Sequence, residues 1–183
     1  LGLFSVGVML RDRNIALKQQ NEQRARAELR RAAKAVLAPL QLGQTDRLAG
    51  ALAEVGGTRG VKEVVLLRAK SSGPKLAFVR DVWVVAHSQA AVKPGPLRER
   101  DAGAGLTERR AKQLYDWSTR VLTAQGTDLR WSRPTGGGET IEVGRALRIG
   151  DGRFVLGLRW SPVLRPPAVP VVWVGLIVAL GLI

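Results

Sequence analysis

Few residues able to do bond-making chemistry occur in this chain, and their spacing builds no reaction centre. His87 is the single histidine and there is no cysteine. A zinc site of the usual His/Cys kind therefore lacks ligands, and disulfides are excluded. The serines and His87 have no well-placed acidic partner, so no triad is formed. His87 falls at a strand end, where a structural role is expected. Gly136-Gly137-Gly138 follows Pro134 but lacks the lysine and the helix of a phosphate loop, and reads as a turn. Glu139 and Glu142 adjoin a strand-like run, and nothing pairs them as general acid and base. The segment reads as non-enzymatic and without a cofactor.

One pattern suits binding better than catalysis. Ile141, Val143, Arg145, Leu147 and Ile149 alternate along a strand-like run, so they share one face, and Arg145 is its only charge. A buried arginine is costly unless paired. It would meet an internal acid such as Asp81, which shares a face with Val79, Trp83 and Val85. Otherwise it would lie exposed at an edge, or take a small anionic ligand such as a carboxylate. Trp83, Tyr115, Trp117 and Trp131 would line such a pocket, although aromatics serve more often as core. The ligand-binding candidates are thus Arg145, Trp83, Asp81, Tyr115 and Trp131.

The elements that must position these residues follow from the local pattern. From Arg11 to about Leu40 the chain lacks Gly and is rich in good helix formers. Ala25, Leu29, Ala33, Val36 and Leu40 recur at spacings of three and four, one apolar stripe. The earlier part is polar all round, which suits a stalk. A homodimer through the stalk helix stays open, because the heptads are few. Gly43 breaks the helix. Thr45 or Asp46 can cap a short second helix that Gly56-Gly57 ends.

Val61 to Ala69 and Lys75 to His87 then read as strands joined by a hairpin turn. After a long loop, Thr107 caps a helix whose apolar members Leu114, Trp117, Val121 and Leu122 share one face, and Gly126 ends it. Asp128 to Arg133, Glu139 to Ile149 and Arg153 to Trp160 close the domain as strands with hairpin signals between them. The expected class is α+β: a long N-terminal helix plus short helices packed on a five-stranded antiparallel sheet, with the helices on one face.

The two ends are apolar. Residues 166–183, PPAVPVVWVGLIVALGLI, carry no charge and approach the length of about 20 residues that a membrane-spanning helix needs. LGLFSVGVML precedes Arg11 and reads as the end of another such helix. Both ends are expected to be cuts in a longer protein. The resulting division is residues 1–10, end of a first transmembrane helix; 11–42, stalk and domain helix; 43–165, the domain proper; and 166–183, a second transmembrane helix. The lipid bilayer is the implied partner. The net charge of +14 favours anionic contacts, yet an Arg-rich, Ala-, Gly-, Leu- and Val-rich composition is also how a GC-rich genome writes an ordinary surface. Arg130, Trp131 and Arg133 come nearest to a nucleic-acid face, but basic residues elsewhere are dispersed, so nucleic acid is not an expected partner.

This order resembles a bacterial extracytoplasmic sensor domain of the single Cache, PAS-like class. Four features carry the resemblance: a membrane helix continuing into a long helix, the hairpin VVLLRAKSSGPKLAFV, a helix between the second and third strands, and a meander leading through LGLRWSPVLR into a second membrane helix. Ser71-Ser72-Gly73 stands where that family usually carries an acid. The resemblance implies a PAS-like sheet and a small ligand bound between sheet and covering loop. It also implies a shift passed to the second membrane helix, in the inner membrane with the domain outside the cytoplasm. The alternative is a membrane-anchored envelope domain that binds protein partners.

Overall fold

The computed structural model describes residues 2–71, 79–97, 105–124, 126–132 and 138–162. The chain divides into two compact units, Asn21–Val163 and Leu1–Gln20 with Leu164–Ile183. Three helices and six strands are described: α1 (Gly2–Gln41), α2 (Thr45–Gly56), β1 (Val61–Ser71), β2 (Val79–His87), β3 (Gly95–Leu97), α3 (Glu108–Thr123), β4 (Thr127–Ser132), β5 (Thr140–Ile149) and β6 (Gly152–Trp160). The class is α+β.

Helix α1 ends as the Gly43 signal predicts. Gly43 adopts φ 67°, a left-handed conformation that costs glycine little. Its amide donates to the Leu40 carbonyl and that of Gln44 to Pro39, which satisfies carbonyls the last turn would leave open. The predicted stripe is the buried one: Ala25, Leu29, Ala33 and Val36 are buried, with Ala32 beside them. Helix α2 begins at Thr45, but its N-cap is Gln44 with no side-chain cap bond, so the cap expected from Thr45 or Asp46 does not form. At α3 the expected cap does form: the Thr107 side chain accepts from the Arg110 amide.

The sheet is antiparallel throughout, in the order β3-β2-β1-β6-β5-β4. It has six strands rather than the expected five. The additional strand, β3, pairs Gly95–Leu97 with Val82–Val84 of β2. Gly95 and Pro96 give no local strand signal, and proline is tolerated there because the strand is short and at an edge.

The helices cover both faces, not one. Helices α1 and α2 pack on Val64, Leu66, Ile141, Val143, Leu156 and Leu158. Helix α3 packs on Val65, Leu67, Val82, Val84 and Val155 on the opposite face. The cause is the unbroken apolar run Val64-Val65-Leu66-Leu67. Successive strand residues point to opposite faces, so such a run requires cover on each.

Among the described residues no helix is long and apolar enough to cross a membrane. Residues 2–10 form the first turns of α1. Residues 166–183, expected as a second transmembrane helix, lie outside the described residues, as do 75–78 of the second expected strand and Arg133 of the third.

Candidate functional site

The site grows from one residue in the wrong company. Glu63 lies in β1 among Val61, Val64 and Val65, and it is buried. It points to the α3 side of the sheet, where three side chains converge on it. His87, at the end of neighbouring β2, lies 2.9 Å from Oε1 through Nε2. The His87 Nδ1 accepts from the Gln89 amide at 2.9 Å, which leaves Nε2 to donate to Glu63. From the first turn of α3, Arg110 donates Nη2–H to Oε2 at 2.6 Å and Nε–H to Oε1 at 3.3 Å. Arg159 of β6 places Nη1 3.7 Å from Oε2.

Burial by itself would raise the Glu63 carboxyl. The His87 hydrogen bond and the Arg110 and Arg159 charges outweigh it and hold the group at about 2, against an ordinary 4.5. A carboxylate so stabilised is a weak base, so the cluster is a structural tie more than a proton-transfer device. Arg110 also reaches Glu142 of β5 at 3.3 Å, which joins α3 to β1 and β5 at once.

Beside this tie, one side of α3 from Thr107 to Arg120 and the strands β4, β5 and β6 line a cleft of about 350 Å³. Five arginines reach it: Arg109, Arg110 and Arg120 from α3, Arg130 from β4 and Arg159 from β6. The acids on its walls are Asp116 and Glu142. Arg109, Gln113, Asp116 and Arg120 recur at helical spacing, so they share the side of α3 that fronts the cleft. Ser132 and Thr140 add hydroxyls, paired with each other at 2.8 Å.

The cleft runs along one side of α3, from Thr107 to Arg120, because the side of the helix that faces the central strands is filled. Trp117 packs directly over Gly157, and its ring also lies where a side chain on Gly144 would stand. The two glycines let the indole reach the sheet backbone, and they close the space between α3 and the central strands.

The residues expected to bind ligand are not brought together. Arg145 is exposed on β5 and fronts a separate hollow of about 230 Å³ with Arg26 and Arg30 of α1. Asp81 and Trp83 are exposed on β2. Two strands, β1 and β6, separate β2 from β5, a gap of roughly 14 Å at normal strand spacing. Asp81 therefore does not pair with Arg145. Tyr115 packs half-buried into the α3-side core. Trp131 packs on the α1 side, where its Nε1–H donates to Glu22 of α1 at 2.6 Å.

The residues that do assemble, Glu63, Arg110 and Arg159 with Arg109, Arg120 and Arg130, are not among the sequence candidates for a binding site; Arg130 enters there only beside Trp131 and Arg133 as the nearest approach to a nucleic-acid face. One signal is present: Glu63 is the only acid in β1 and stands at the head of the apolar run Val64–Leu67. Among the described residues, no group of His, Asp and Glu side chains could hold a metal ion.

Compared with known proteins, the chain matches no family model, and no curated protein matches it.

Proposed function

We propose that this domain is a non-catalytic, extracytoplasmic ligand-sensing module of a bacterial transmembrane signalling protein, PAS-like in build. Apolar residues 166–183 would form the second membrane helix, and residues 1–10 the end of the first. The observation that carries the reading is the place of β6. It lies inside the sheet, between β1 and β5, and its last residue, Trp160, precedes the apolar run by only a few residues. A ligand that moves α3 or the neighbouring strands therefore acts on the strand that leads into that run. The strand order β2-β1-β6-β5-β4, with a long helix before it, supports the same reading.

Two measurements test it. The chain has no native cysteine, so Asp151→Cys in the exposed β5–β6 turn gives a single label site. A membrane-impermeant maleimide should label it in intact cells; labelling only after permeabilisation overturns the extracytoplasmic placement. A thermal-shift screen of the full chain with small carboxylates, phosphates and amines should find a stabilising ligand. If none stabilises it, the sensory role fails.

The second reading is an envelope domain that binds protein partners. The packing of Trp117 against Gly144 and Gly157 favours it, because that packing closes the space where the sensor class would hold its ligand. Co-purification of one defined envelope protein, with no small-molecule stabilisation, would select this reading.

A further inference from the structure

We propose that the arginine-lined cleft between α3 and strands β4–β6 binds the phosphoryl group of a small organic phosphate. This deepens the sensory reading and rests on it for its biological meaning. The two can fail separately, because binding to the purified chain is indifferent to which side of the membrane the domain occupies.

Charge is the first ground. Five arginines and two acids reach the cleft, and the acids do not neutralise it evenly. Of the two, Glu142 is engaged by Arg110, as is the buried Glu63 behind the cleft, with Arg159 close to Glu63, and Asp116 is within ion-pair distance of none of the five arginines. Arg120 is held only loosely, 3.8 Å from Asp128. Among the described residues, no acid lies within ion-pair distance of Arg109 or Arg130. The cationic excess is therefore concentrated in Arg109, Arg120 and Arg130.

Direction is the second ground. The arginines approach from three elements, α3, β4 and β6. A carboxylate is planar and offers two oxygens, which one or two guanidinium forks satisfy. A phosphoryl group offers three terminal oxygens in a tetrahedral array and accepts forks from several directions. Size is the third ground. About 350 Å³ far exceeds a bare phosphate and lies at the small end of pockets that hold organic ligands. The ligand class is a phosphate monoester of about sugar-phosphate size, free or as the headgroup of a phosphatidic acid.

The test is calorimetric titration of the full chain in detergent at constant ionic strength. The probes are glucose 6-phosphate, glucuronate, inorganic phosphate and dihexanoylphosphatidic acid, whose headgroup is a phosphate monoester. Saturable binding of glucose 6-phosphate or the short-chain lipid is expected, and the tighter of the two identifies the source. Arg109→Ala/Arg130→Ala, both exposed and remote from the core, should weaken it about tenfold or more. Arg13→Ala/Arg47→Ala, which removes the same charge elsewhere, should not. Equal binding of glucuronate overturns the phosphoryl assignment, and equal binding of inorganic phosphate overturns the organic-ligand assignment. Binding that is absent, or unchanged in Arg109→Ala/Arg130→Ala, overturns the site itself.

Discussion

Arg110 on α3 grips the Glu63 carboxylate on β1 with two nitrogens, Nη2 at 2.6 Å and Nε at 3.3 Å. Forty-seven residues separate the two in sequence. The side-on fork fixes the first turn of α3 over the middle of the sheet, and α3 is one wall of the cleft.

Removing one partner of a buried ion pair leaves the other uncompensated. Glu63→Ala removes the carboxylate between Arg110 and Arg159, leaves Arg110 only Glu142, and should cost about 3 kcal/mol, read by urea unfolding. Arg110→Lys should also destabilise, because an ammonium cannot reproduce the fork on Glu63 while reaching Glu142. Wild-type stability in both variants would mean the tie is dispensable.

The same carboxylate sets an acid limit. Its folded value, about 2, lies below its ordinary 4.5, so the folded protein binds this proton less readily than the unfolded chain. The stabilisation is complete above about pH 4.5 and is lost as pH falls toward 2, on the order of 3 kcal/mol in all. Unfolding free energies measured from pH 6 to pH 2 should decline over that window. Glu63→Gln should show a shallower decline, since it removes the titrating group.

Trp117 and Gly157 form a size-matched pair. Any side chain at Gly157 enters the indole ring, so Gly157→Ala should destabilise by roughly 1–3 kcal/mol through overpacking. Trp117→Leu alone should cost on the order of 2 kcal/mol through a cavity. The double variant should cost less than the sum, because the smaller side chain makes room for the methyl. Strict additivity in the double-mutant cycle would show that the two do not share one space.

Trp131 ties β4 to α1 through its indole N–H and Glu22. Trp131→Phe keeps most of the apolar contact and removes the bond, leaving a half-buried carboxylate with one donor fewer. A loss of about 1–2 kcal/mol in thermal or urea unfolding is expected.

Local pattern determined much of the fold. The α1 stripe, the Gly43 stop, the Thr107 cap and the hairpin-rich strand order are all decided by neighbours within a few residues. That range is what a sequence displays directly. The apolar run at Val64–Leu67 likewise held the sign that both faces of the sheet are covered, although hairpin reasoning alone favoured cover on one.

Tertiary structure alone decided the third strand and the site. Gly95–Leu97 becomes a strand only because β2 offers a free edge. Arg145 and Asp81 share a face by alternation, but strand order places β1 and β6 between them. Glu63, His87, Arg110 and Arg159 come from four separate elements, and no spacing along the chain relates them. Periodicity reports which way a side chain points. Which partner it meets depends on the order in which strands are laid side by side, and that order is set by burying both faces of the sheet at once.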